Sequence, residues 1–125
     1  MTPVSAIPAA ADVLAPDLEV LDLPTVADRL GLPITRVHQL IRDGHLIAVR
    51  PEEGPRAIPA AFLQDGAVVK ALTSVITQLR DAHYGDDEIV DWLFRADDSL
   101  PGTPIDALRA NRGSEVKRRA QVAGY

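Results

Sequence analysis

The chain has 125 residues, 46% of them hydrophobic, which suits one compact unit or two small sub-domains sharing a core. Cysteine is absent, excluding disulfides, thiolate metal sites and thiol nucleophiles, and the few aromatics leave the core to Leu, Val, Ile and Ala. The net charge of −5 is uneven: residues 1–23 carry no basic group, residues 24–66 are balanced, and residues 67–125 are nearly so, so a nucleic-acid face must come from local placement of arginines.

Residues 1–21 are Ala- and Pro-rich, with Pro3, Pro8 and Pro16 and no sustained period, and read as a flexible acidic arm. A short extended piece is expected over Glu19–Leu23. No positive region precedes the Ala-rich stretch and no apolar run is long enough to span a bilayer, so the expectation is a cytoplasmic protein without membrane contact. Thr25 is expected to cap a first helix, with Asp28 three residues on and Val26, Ala27 and Leu30 as its apolar stripe. Gly31 ends that helix and Leu32-Pro33 makes a turn. A second helix is predicted from Ile34 to Asp43, burying Val37, Leu40 and Ile41, with Gly44 as its stop. Leu46–Arg50 and Arg56–Pro59 then read as two strands joined by a turn, a β-hairpin wing.

From about Gln64 the period returns to helical, with Val68, Val69, Leu72, Val75, Ile76 and Leu79 predicting one helix to about His83. Tyr84-Gly85 stops it, and Asp86-Asp87-Glu88 opens another running to about Arg95, with Ile89, Trp92 and Leu93 inward. A loop is expected at 97–102. Thr103 caps a short helix with Pro104 and Asp106 in its first turn, and Ser114 is expected to cap a last, basic helix. The fold class read from this order is mainly α: a winged helix-turn-helix with a small β-hairpin wing, followed by a C-terminal helical segment. Its expected divisions are an arm at 1–21, the winged helix-turn-helix at 22–66 and a helical domain at 67–125.

In a helix-turn-helix the second helix enters the major groove and its solvent-facing side chains meet base edges. With Val37, Leu40 and Ile41 inward, those side chains are Thr35, Arg36, His38, Gln39 and Arg42. Arg suits guanine, Gln suits adenine, and Thr suits a phosphate or a thymine methyl. Double-stranded DNA is therefore the expected partner. Glu52 and Glu53 fall at the wing tip, where they would repel phosphate, so wing contacts are expected at its base, from Arg50 and Arg56.

The stretch "VADRLGLPITRVHQLIRDGHLIAVR…AIPAAFL" resembles the winged helix-turn-helix of the excisionase and MerR-like group. Over roughly residues 17–125, "DLPTVADRLGLP", "RDGHLIAVR", "VVKAL", "DDEIVDWLFRADDSL", "TPIDAL" and "VKRRAQ" are similar to an actinobacterial, mycobacterial-type family of winged-helix DNA-binding proteins that are serine/threonine-kinase substrates. The resemblance implies DNA binding in an actinobacterial cytoplasm and an N-terminal arm open to a serine/threonine protein kinase. Thr2 and Ser5 are the arm's hydroxyls, and a phosphate there would add nearly two negative charges to an acidic segment. The C-terminal stretch also resembles the helical domain of Xre/ParS-type antitoxins, which implies an alternative: a protein-interaction module with the helix-turn-helix as scaffold.

Other chemistry finds little support. His38, His45 and His83 lack metal-ligand spacing, and no phosphate loop, nucleophile elbow or HExxH is present, so no metal, cofactor or enzymatic activity is expected. Lys117, Arg118 and Arg119 form the densest basic cluster, read either as a charged surface turn or as a DNA-backbone contact.

Overall fold

The computed structural model describes residues 19–51, 55–96 and 102–123. Its elements are β1 (Val20–Asp22), α1 (Leu23–Leu30), α2 (Ile34–Arg42), β2 (Ala57–Pro59), β3 (Leu63–Gln64), β4 (Ala67–Val68), α3 (Leu72–Asp81), α4 (Asp86–Phe94), α5 (Pro104–Arg109) and α6 (Gly113–Ala123). Most of the arm, including Thr2 and Ser5, lies outside the described residues, as do the wing tip with Glu52 and Glu53 and most of the loop expected at 97–102.

The first helix starts earlier than its expected Thr25 cap. Asp22 caps it instead, its Oδ1 accepting the Thr25 backbone N–H at 2.9 Å. Pro24 sits in the first turn, where a missing N–H costs no helical bond. Gly31 closes α1 at φ 68°, and Leu32 N–H reaches back to the Ala27 carbonyl at 2.9 Å, satisfying carbonyls the helix end would leave open. After extended Pro33, α2 runs to Arg42 with Val37 wholly buried, and Gly44 at φ 79° turns the chain away.

The sheet of the wing differs in detail from the hairpin expected. β2 pairs antiparallel with β1, Leu21 opposite Ile58, and meets the preceding limb through a single bridge between Val49 and Ala57. That bridge is reciprocal, with N–H···O distances of 2.7 and 2.8 Å. Two features limit it. Leu46, Ile47 and Val49 are all buried, so this segment threads the core rather than alternating along a sheet. Beyond the bridge, Pro51 and Pro55 offer no N–H to lengthen a ladder. The extended piece expected at Glu19–Leu23 supplies the partner strand.

A helix from Gln64 does not form; α3 begins only at Leu72. The intervening residues make a second hairpin, with Leu63 opposite Val68 and Gln64 opposite Ala67. Its loop is Asp65-Gly66, with φ 55° and 78°, the positive pair a two-residue type I′ turn demands. Val68 and Val69 belong to this hairpin and its exit, and share the helical period with Leu72 only by coincidence of spacing.

The C-terminal helices form as read, with small shifts at their ends. α4 carries Asp86, Asp87 and Glu88 in its first turn, and Glu88 Oε1 accepts the Gly85 N–H at 2.8 Å. Thr103 Oγ1 accepts the Asp106 N–H at 3.2 Å, capping α5 as expected. The last helix starts at Gly113, so Ser114 lies inside its first turn rather than capping it. The side chains of both halves merge in one core: Val26, Val37 and Phe62 join Leu72, Ile76 and Leu79 of α3, Ile89 and Leu93 of α4, Leu108 of α5 and Val116 of α6. The Phe62 and Phe94 rings stack across the two halves with centroids 5.8 Å apart. Arg109 strengthens the join, its Nη1 donating to the Ala61 and Leu63 carbonyls at 2.9 and 2.7 Å.

Candidate nucleic-acid interface

α2 is anchored by its apolar side. Val37 is fully buried and Leu40 and Ile41 half-buried, which turns Thr35, Arg36, His38, Gln39 and Arg42 outward, and all of these are exposed. Thr35, His38, Gln39 and Arg42 recur at helical spacing, so they share one stripe, with Arg36 at its edge. Arg36 Nη1 donates to Gln39 Oε1 at 2.9 Å, tying two of the base-reading candidates into one unit. Neither the sequence period nor the core pattern singled out Ile34, yet it is 38% exposed at the start of this helix. An apolar side chain left in solvent beside polar readers suits a thymine methyl. No side chain caps α2, since its N-cap is Pro33.

The wing residues converge at the base. The antiparallel Val49–Ala57 bridge is isolated, and Arg50 and Arg56 are the residues that flank it on its outer side. Arg50 is exposed and Arg56 partly covered. Two like charges beside one bridge repel each other in isolation, and an anion near both reverses the sign.

The far end of α2 is braced by the C-terminal half. Thr73 Oγ1 on α3 donates to the His45 carbonyl at 3.3 Å. Arg80 lies against Gly44, where an added Cβ would sit 3.1 Å from Nε, and its Nη1 pairs with Asp86 at 2.7 Å. The C-terminal end of the helix offered to solvent is therefore held by packed structure. Among the described residues no helix is long and apolar enough to cross a membrane.

A short helix, a tight turn, an exposed polar second helix and a β-wing behind it define the winged helix-turn-helix class, an architecture of DNA-binding domains. Comparison with known proteins narrows this. Residues 6–63 match the family described as "DNA-binding protein Rv2175c, wHTH domain", and residues 69–124 match "Rv2175c C-terminal domain of unknown function". The chain is 44% identical over 134 residues to DNA-binding protein Rv2175c of Mycobacterium tuberculosis (strain ATCC 25618 / H37Rv), covering 98% of this chain and 92% of that protein. It is similar to the NMR structure of Rv2175c with a TM-score of 0.84, over 98% of this chain and 92% of that one. The chain belongs to the Rv2175c family.

Proposed function

We propose that this protein binds double-stranded DNA, with α2 in the major groove and Arg50 and Arg56 at the flanking phosphates. The observation that carries this reading is the division of α2: a buried Val37 on one side and an unbroken set of exposed Thr35, Arg36, His38, Gln39 and Arg42 on the other. Membership in a family named for DNA binding supports it. Arg36 and Gln39 read base edges, Thr35 and Arg42 position the helix on the backbone, and His38 contributes at the groove wall. The role that fits is a transcriptional or nucleoid-associated regulator in the cytoplasm. The test is selection of bound sequences from random duplex DNA: an enriched motif supports base reading, and no duplex binding even at low salt refutes the proposal. The salt slope should correspond to about three to five phosphate contacts, near −0.9 each.

Regulation belongs to the arm. Phosphorylation there by a serine/threonine kinase, at Thr2 or Ser5, adds negative charge to an already acidic segment and weakens duplex binding by repulsion. Support comes from the segment's charge and from the resemblance to kinase substrates. Equal DNA affinity for the phosphorylated or Thr2→Glu/Ser5→Glu arm and the native one refutes it. The alternative of a partner-binding C-terminal module draws no support from the packing. Ile89, Leu93, Ile105, Leu108 and Val116 are buried in the chain's own core, and Val122 is the one large apolar side chain left exposed in the described part of that segment.

A further inference from the structure

Lys70 and Lys117 are far apart in sequence and meet in space. Together with Ala71, Asn111, Gly113 and Ser114 they line an open cleft of about 220 Å³ between the β4–α3 junction and the start of α6. Gly113 makes the meeting close: a Cβ there would stand 2.9 Å from the Ala71 Cβ, so only glycine lets α6 approach this junction. Both lysines are exposed, and among the described residues neither has an ion-pair partner. The nearest acid in sequence to Lys117, Glu115, lies 4.0 Å from Arg112 instead. Asn111 and Ser114 add neutral donors to the same cleft. Burying glycine-tight packing beneath two unpaired ammonium groups concentrates positive charge on a segment that is otherwise slightly acidic.

The cleft adjoins the start of the helix that braces the end of α2. Lys70 stands three residues before Thr73, whose hydroxyl bonds the His45 carbonyl just past the end of α2. Exposed Arg42 and His45 stand at the end of α2, which the Thr73 hydrogen bond ties to the start of α3 just after exposed Lys70. We propose that the Lys70–Lys117 cleft is a second duplex-backbone contact, gripping phosphates beyond the end of α2 and extending the footprint of the winged helix. The partner is the sugar–phosphate backbone without regard to base sequence, since ammonium groups act as point charges and read no edge. This rests on the DNA-binding reading of α2, and assigns a task to the half of the chain that carries no helix-turn-helix.

The experiment measures affinity of the full-length protein for a fluorescein-labelled mixed-sequence duplex, by anisotropy over a range of salt concentrations. Lys70→Ala/Lys117→Ala should reduce the magnitude of the log–log salt slope by about 1.8, two contacts at about 0.9 each. The loss should be equal for all duplex sequences, and Lys70→Arg/Lys117→Arg should restore the slope. An unchanged slope in the alanine variant, while the native chain binds and Arg50→Ala weakens it, overturns the cleft and leaves the α2 reading standing. A reduced slope that arginine does not restore, accompanied by a lower thermal midpoint, is a folding effect and also overturns it. Absence of any duplex binding by the native chain at low salt removes both readings together.

Discussion

Asp22 is the last residue of β1, and its carboxylate caps α1. Hydrogen bonds from the Thr25 hydroxyl and from the Thr25 backbone N–H hold this carboxyl below its ordinary value of 3.8. A group whose pKa is depressed by folding adds stability that is complete above the unfolded value and disappears as pH falls through the folded one. The window for Asp22 therefore lies below 3.8. Asp22→Ala should lower the thermal midpoint at neutral pH, whereas Asp22→Asn, which caps without ionising, should keep most of it and lose this acid sensitivity. Melting curves of the three proteins across the acid range check both. On α2, Arg36 and Gln39 are joined by their own hydrogen bond, so their effects on DNA should not add. Replacing either with Ala should shift the selected base sequence, each bidentate contact contributing about 1–3 kcal/mol of discrimination. Arg50→Ala should weaken all sequences alike. Identical sequence profiles for the two kinds of variant would reduce α2 to electrostatic binding.

The elements divide by how local their signals are. α1 and α2 were legible because each carries its own period and its own glycine stop, Gly31 and Gly44, within a dozen or so residues. The β3–β4 hairpin carries a helical period in its sequence although its Asp65-Gly66 turn signal is present. Val68 and Val69 follow at a spacing that fits a helical stripe with Leu72, and that period masks the turn. Gly66 stands at φ 78°, and a Cβ there would meet nothing closer than the Arg29 carbonyl oxygen at 3.7 Å. Gly66→Ala should therefore cost about 1–2 kcal/mol through backbone strain alone, with no steric term. Chemical denaturation measures that cost; an effect near zero would mean the turn relaxes to another type. The wing was legible as two limbs and a turn, but its pairing with β1 was not, because strand partners far apart in sequence leave no mark on either strand.

At the scale of the molecule, one core links the helix-turn-helix to the helical segment. Arg109 joins them by polar contacts as well, through the Ala61 and Leu63 carbonyls, while Gln64 Nε2 donates to the Arg109 carbonyl at 3.2 Å. Arg109→Ala leaves two partly buried carbonyls without this donor and should destabilise the fold by about 1–3 kcal/mol. Leu79, wholly buried on α3, touches the shared core, and Leu79→Ala should cost about 2–5 kcal/mol. Because the core is continuous, that loss should appear equally in amide exchange of α2 and of α6, with one cooperative transition. Loosening confined to α3–α6 would show the halves to be independent.

The sequence by itself determined the order of helices, the exposed stripe of α2, and the Thr103 cap of α5, since all of these depend on residues within one or two turns of each other. It also carried the family likeness. Tertiary structure decided the rest: that β2 takes β1 as its partner, that Arg80 and Thr73 brace the end of α2, and that Gly113 brings Lys117 beside Lys70. Those relations join residues dozens of positions apart. They follow from which surfaces are buried together, and a linear pattern of apolar residues states that a surface is buried without stating against what.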